Sequence, residues 1–305
     1  MTERPGATLS SGLHAEIRPD RFSDHGLELV VDGTPQSHVD PDDPTHLFYE
    51  YVQRMGTAID LLGLPGQPIT ALHLGAGALT LPRYVHATRP GSRQQVLELE
   101  RALVDLVRAA VPLPRGAAIR VRYGDARELL GRLPAALHGA CDLVIVDVFG
   151  GARVPAHVTS LEFYRELAAF LAPGGLLLVN AADGAGAAFA RAQAATLRHV
   201  LHDVAVVSEQ QVLKGRRFGN FVLLGAHETL PESWLRRMLA GGPHPAALVH
   251  GAELAAWIGS APIVTDATAV PSPSPNRSIF QLSRGAAEAL AADRDRARSD
   301  DGSPG

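Results

Sequence analysis

The chain has one cysteine, one lysine and no long apolar run, and each scarcity removes a class of protein. Cys141 alone closes no internal disulfide, and no group of cysteines exists to hold zinc. No stretch approaches the roughly 20 apolar residues of a membrane span, so no membrane partner is expected. The opening Met1-Thr2-Glu3-Arg4-Pro5 lacks the basic start and apolar core of a signal peptide, which makes a cytoplasmic location the expectation. Basic charge is short as well. The net charge is -4, whereas a nucleic-acid partner demands a basic face, so none is expected. Lys214 is the single lysine among 28 basic residues, a bias read as codon usage rather than chemistry. What remains, 46% hydrophobic over 305 residues, is enough to bury one large or two modest domains.

The most informative stretch is Leu72-His73-Leu74-Gly75-Ala76-Gly77, an apolar run that ends in a glycine pair. A second apolar run, Gln95-Val96-Leu97-Glu98, ends in an acid roughly twenty residues on. Strand, glycine turn, helix, strand and acid is how a doubly wound sheet holds a nucleoside. The glycines admit the ligand to the backbone, and the acid accepts from the ribose hydroxyls. Glu98 is preferred to Glu100, which falls past the strand end. The turn lacks the third glycine that supports a pyrophosphate, which disfavours a dinucleotide.

Patterning divides the chain into a disordered start (1–12), an N-terminal β-hairpin domain (13–44), a Rossmann-like nucleotide-binding domain (45–228), a helical and extended C-terminal extension (229–282) and a mobile tail (283–305). Asp32-Gly33 between alternating apolar segments is a hairpin turn signal. A helix is expected from about Thr45 to Leu62, with Leu47, Tyr51, Met55, Ile59 and Leu62 on one face. Strands are expected at 69–74, 94–98, 118–122, 142–147, 176–181, 203–209 and 218–225, with helices between them. Continuous apolar strands such as Leu143-Val144-Ile145-Val146 imply a sheet covered on both faces, hence mostly parallel. The long connection 210–217 allows the last strand to run antiparallel. Fold class is therefore α/β: a seven-stranded doubly wound sheet of the class I methyltransferase type, with a small hairpin domain before it. Pro173-Gly174-Gly175 reads as a helix stop, and Pro271-Ser272-Pro273-Ser274-Pro275 as an extended surface segment.

Two more acids end strands. Asp125, in Gly124-Asp125-Ala126, can accept from an adenine amino group or simply cap the next helix. Asp147 stands at the carboxyl end of the fourth strand, where open α/β sheets place their chemistry. It can take a proton from a nucleophile, hold a cationic ligand, or cap a loop. The loop 148–157 that follows can cover the site, and its His157 is an acid–base candidate or a surface residue.

Together these segments resemble the spermidine synthase (polyamine aminopropyltransferase) family over most of residues 20–180. The resemblance rests on Leu29-Val30-Val31-Asp32-Gly33-Thr34-Pro35-Gln36, Leu47-Phe48-Tyr49-Glu50-Tyr51, the glycine turn, Leu97-Glu98-Leu99-Glu100, Gly124-Asp125, Val146-Asp147 and Leu161-Glu162-Phe163-Tyr164. It implies that Gly75, Gly77, Glu98 and Asp125 bind the nucleoside, that Gln36 lies near the sulfonium, that Asp147 is the base, and that Tyr49 serves as active-site tyrosine where Phe48 replaces the family's own. It also implies S-adenosylmethionine or its decarboxylated form as cofactor, a small amine as acceptor, a homodimer or higher oligomer, and no metal. Two departures stand out. The family carries an acid at Ala78, which holds the cofactor's primary amine, and another at Gly150, which grips the polyamine. A buried ammonium without a carboxylate costs several kcal/mol, about as much as a broken buried ion pair. Asp40, Asp42 and Asp43 are the nearby acids that can substitute.

Three functions stay open on this reading. One is alkyl transfer of the family's type, one is methyl transfer from S-adenosylmethionine to a small molecule, and one is a non-catalytic nucleotide-binding protein of the same fold.

Overall fold

The computed structural model describes residues 5–274, apart from 22, 152 and 242–243. The expected mobile tail over 283–305 lies outside the described residues, as does the end of the expected C-terminal extension.

The chain opens with a four-stranded antiparallel sheet in the order β1 (Gly6–Thr8), β2 (His14–Pro19), β3 (Leu27–Val31), β4 (Thr34–Val39). The start at 1–12, read as disordered, thus includes a strand: Gly6–Thr8 pairs with β2. Asp32 and Gly33 both take positive φ, +46° and +76°, as a two-residue hairpin turn requires. Leu29 pairs with Ser37 and Val30 with Pro35, so Gln36 is the extra residue of a β-bulge.

Helix α1 (Glu50–Asp60) begins five residues later than its apolar stripe suggests. Side chains divert the segment before it. The Asp40 carboxylate accepts from the amides of Asp42 and Asp43, and that of Asp43 from Thr45, which turns the chain instead of letting it coil.

Alternating elements follow: β5 (Thr70–Leu74), α2 (Thr80–Thr88), β6 (Arg93–Glu98), α3 (Arg101–Ala110), β7 (Ala118–Tyr123), α4 (Ala126–Leu130), β8 (Cys141–Val146), α5 (Leu161–Ala168), β9 (Leu171–Asp183), α6 (Ala188–Leu197), β10 (Asp203–Ser208), α7 (Gln210–Leu213) and β11 (Gly219–Ala226). After them come α8 (Glu232–Gly241), β12 (Ala247–His250) and α9 (Gly251–Ile258). The sheet order is β12-β10-β11-β9-β8-β5-β6-β7. Pairings from β9 through β7 are parallel, and β11 is antiparallel to both β9 and β10. This is the expected α/β architecture with one strand more than expected. The eighth, β12, has four residues, too few to show a period, and adds to the edge beside β10. His250 pins it there, bridging Asp203 at 2.6 Å and Glu232 at 2.9 Å.

Pro173-Gly174-Gly175 lies inside β9 rather than ending a helix. Pairing with β8 slips across it, from Cys141–Leu171 to Leu143–Leu176. A Cβ on Gly175 would stand 2.6 Å from the carbonyl oxygen of Cys141, so the bulge needs glycine for a close backbone approach.

Apolar side chains fill both faces of the large sheet. Leu72, Leu74, Val144, Val146, Leu177 and Val179 meet α5 and α6 on one face, while Ala71, Leu143, Ile145 and Leu178 meet α1 and α8 on the other. Strands buried on both faces read as continuous apolar runs, which is why they were legible. The order reverses between β5 and β8, and there the carboxyl ends of the strands open a crevice.

Beyond α9 the chain runs back across the loop that follows β8. The Ser272 amide donates to the Val154 carbonyl, and the Ser272 hydroxyl accepts from the Val154 amide. Ser272 is fully buried while Pro271, Pro273 and Ser274 are exposed, so the described part of the proline-rich segment runs over the surface, pinned at one residue.

Candidate active site

The crevice is built from backbone first. The Gly75 amide donates to Leu97 O at 2.8 Å, Asp147 N to Leu74 O at 2.9 Å and Gly124 N to Glu98 O at 2.9 Å. These bonds tie the tips of β5, β6, β7 and β8 into one rim. A Cβ on Gly75 would fall 2.2 Å from Asp147 O, and its φ is +93°, so only glycine lets the two strand ends come this close. Gly77 also has positive φ, +49°, and a Cβ there would stand 3.0 Å from the Ser37 hydroxyl. Thr80, the first residue of α2, donates to His38 O at 2.6 Å and bonds Ser37, which clamps β4 over the glycine turn.

Glu98 turns back onto that turn. Its Oε2 accepts from the Ala76 amide at 2.8 Å and its Oε1 from the Glu100 amide at 2.9 Å. Burial pushes its carboxyl above the ordinary range, and the backbone amides of Glu100, Ala76 and Leu99 pull the other way. Each oxygen keeps a lone pair for a further donor. Glu100 is committed elsewhere, accepting from the Ser10 amide and hydroxyl at 2.8 Å each, so of the two acids Glu98 is the one at the crevice. Leu99 beside it is 60% exposed, an apolar face next to the acceptor. An acid with spare lone pairs at a strand tip, beside uncovered apolar surface, fits a nucleoside.

Asp125 caps α4, accepting from Arg127 N at 3.0 Å and Glu128 N at 3.1 Å through Oδ1. Its Oδ2 lies 2.8 Å from His157 Nε2. The capping role is therefore realised, with His157 on the oxygen left over.

Asp147 sits on the other side of the glycine turn. Its Oδ1 accepts from Asn180 Nδ2 at 2.8 Å and its Oδ2 from the Tyr51 hydroxyl at 3.3 Å. Burial raises its carboxyl above the ordinary range, against the hydrogen bonds from Asn180 and Tyr51. Burial and the facing Asp147 charge push the Tyr51 hydroxyl well up, so it stays a donor. A desolvated carboxylate whose partners are neutral is suited to take a proton or to hold one cation.

The residues read from the sequence do not all converge. Gly75, Gly77, Glu98 and Asp147 meet at the rim. The tyrosine that touches Asp147 is Tyr51, two residues on from the anticipated Tyr49. Tyr49 stacks beside Tyr51 at 6.3 Å between ring centres. Its own hydroxyl is buried without a partner, and burial together with the charge of Glu28 raises it. Gln36 is the bulge residue of β4, and its neighbour Ser37 faces Gly77. Ala78 is fully buried among apolar side chains, and Gly150 is exposed and pairs with Arg153. Asp40 is occupied by its own turn and by His46. Sequence reading missed Asn180 and Asn220. A signal for Asn180 was present: an amide interrupts the run Leu176 to Ala182 near its carboxyl end.

Among the described residues no group of three or more His, Cys, Asp or Glu side chains gathers for a metal, and no helix is long and apolar enough to cross a membrane.

No family model matches the chain. Among curated proteins it is 28% identical to the polyamine aminopropyltransferase of Vibrio vulnificus over 142 residues, which is 46% of each chain. It is 24% identical to that of Chromobacterium violaceum over 148 residues, 48% of this chain and 54% of the relative. The matches thus span about half the length of these relatives. Among solved structures, a "probable spermidine synthase" from Corynebacterium glutamicum superposes with a TM-score of 0.77 at 28% identity, covering 87% of this chain and 97% of that one. The spermidine synthase of Thermotoga maritima shares the fold at a TM-score of 0.54 and 12% identity, covering 77% of each. The chain is thus similar to spermidine synthases in fold, with a mostly parallel eight-stranded sheet and an antiparallel N-terminal sheet before it.

Proposed function

We propose that the chain transfers an alkyl group of the aminopropyl type from the sulfonium of an S-adenosyl nucleotide to a small amine, with Asp147 as base. The observation that carries this reading is the half-buried Asp147 carboxylate, held by Asn180 and Tyr51 at the rim that Gly75 and Glu98 share. Its likeness to aminopropyltransferases supports it.

Glu98 would hold the ribose, with Leu99 against the base and Gly75 and Gly77 admitting the ligand to the backbone. Such a cofactor supplies an electrophilic carbon beside a positive sulfur that leaves as a neutral thioether. The protein aligns the amine and accepts its proton on Asp147. A carboxyl raised by burial holds that proton better than an exposed one.

Methyl transfer from S-adenosylmethionine is the second reading. Neither Ala78 nor Gly150 offers a carboxylate, and Ala78 is sealed in the apolar core. Calorimetry with both cofactors separates the two. Aminopropyl transfer requires binding of the decarboxylated cofactor and turnover with an amine. Tight binding of the carboxylated form alone rejects it.

A further inference from the structure

The Asp147 carboxylate ends a chain of amides that begins two strands away. Asn220 Nδ2 on β11 donates to Asn180 Oδ1 on β9 at 3.0 Å, and Asn180 Nδ2 donates to Asp147 Oδ1 at 2.8 Å. In the β9–β11 ladder Asn180 stands opposite Val222, so Asn220 is its diagonal neighbour on the same face. Asn180 is 2% exposed and both ends of its amide are engaged. Flipping it would set a carbonyl against the carboxylate and one amino group against another. Asn220 opposes that flip, and its backbone is anchored where its main-chain carbonyl accepts from Ser208 Oγ at 2.6 Å.

We propose that Asn180 and Asn220 are positioning residues, an amide relay that fixes the Asp147 carboxylate through Oδ1 and leaves Oδ2 as the oxygen that receives the proton. This rests on Asp147 being the base. The bond to Oδ2, from Tyr51, is the longer at 3.3 Å and is the one that yields as a proton arrives. Facing the carboxylate are Tyr51 from α1, with Tyr49 behind it, and Asn180 from β9, while Gly75 packs against the main chain of Asp147. Among the described residues no charged side chain pairs with it, so two neutral donors orient it, the relay at the shorter bond and Tyr51 at the longer.

The test titrates Asp147 by carbon-13 carboxyl NMR, its signal identified by loss in Asp147→Asn, and runs the pH profile of kcat beside it. Asn180→Ala should shift the midpoint upward by about one pH unit, roughly tenfold tighter proton binding. Asn220→Ala should shift it the same way by less, with kcat changed more than the amine KM. Because the two act in series, Asn220→Ala should add nothing in the Asn180→Ala background. Should Asn180→Ala not fold, Asn220→Ala alone decides. An unmoved midpoint in Asn220→Ala, or a double variant shifted further than Asn180→Ala alone, overturns the relay. Turnover that survives Asp147→Asn sinks the base assignment instead, and the titration tells the two failures apart.

Discussion

The two sides of the crevice hold their carboxylates by different means. Toward β6 and β7, Glu98 and Asp125 are fixed by backbone amides within a few residues of a strand tip, from Ala76, Glu100, Arg127 and Glu128. Toward β9 and α1, Asp147 is fixed only by side chains, Asn180 and Tyr51, from elements far apart in sequence. A carboxylate held by backbone tolerates change around it, because main-chain donors are present whatever the residue. A carboxylate held by side chains is set by their identity. The first arrangement suits a ligand that is the same for every member of a fold. The second suits an acceptor that differs between them.

The largest effect should come from Asp147→Asn. On the proposed function Asp147 is the base, whose removal should cost roughly 10²–10⁴ in rate, read as kcat with an amine acceptor, and a rate unchanged by the variant rejects that role. The same substitution should raise the melting temperature near neutral pH. Burial lifts the folded carboxyl above its unfolded value of about 3.9. The folded state then binds the proton more tightly, so stability is lost as pH climbs from the unfolded value through the folded one. The amide escapes that loss, and the difference between the two proteins should vanish in acid. A thermal melt series across pH checks both the sign and the window.

Gly75→Ala should rank next, because Gly75 joins the two sides. The new Cβ would press on Asp147 O in a backbone region that costs a non-glycine residue roughly 1–2 kcal/mol by itself. With the overlap added, at least about 2 kcal/mol should be lost in denaturant melts. Gly77→Ala meets only the Ser37 side chain, which can move, and should lose less. Equal losses would mean that the rim is not the tight point.

How far the molecule was legible follows the same division. The parallel strands, the glycine turn, Glu98 and the Asp32-Gly33 hairpin all announce themselves through neighbours in sequence. What escaped depends on side chains meeting across elements or on segments too short to show a period. Strand β12 has four residues, and the delayed start of α1 comes from carboxylates at Asp40 and Asp43 capturing local amides. Asn220 acts on Asp147 only through Asn180, a link that no spacing rule encodes. That Tyr51 and not the expected Tyr49 meets Asp147 depends on which way α1 faces. The helix begins at Glu50 with Tyr49 as its first cap, so only Tyr51 lies on a helical face that reaches β8.

That pair of tyrosines gives a sharper and smaller test on the acceptor side. Tyr51→Phe removes a donor to the Asp147 carboxylate, and a hydrogen bond to a charged group is worth about 1.5–3 kcal/mol at ordinary length. At 3.3 Å the lower end applies, so activity should fall roughly tenfold, with the acidic limb of the pH profile displaced upward. Tyr49→Phe removes a buried hydroxyl that bonds nothing, and relief of its desolvation should stabilise the fold by about 1 kcal/mol. Activity lost in Tyr49→Phe and kept in Tyr51→Phe would reverse the two assignments.

The smallest effect belongs to the backbone-held side. His157→Ala strips the neighbour from Asp125 Oδ2 but leaves Oδ1 on the Arg127 and Glu128 amides, so the carboxylate keeps its place. Exposed pairs of this kind contribute at most about 1 kcal/mol. Nucleoside affinity measured by calorimetry should then change by no more than about fivefold. A rise would mean that the freed oxygen accepts from the base, and a small fall that the imidazole itself touches it. A loss of a hundredfold or more would show that a side chain, not the backbone, holds this half of the crevice, and the contrast with Asp147 would fail.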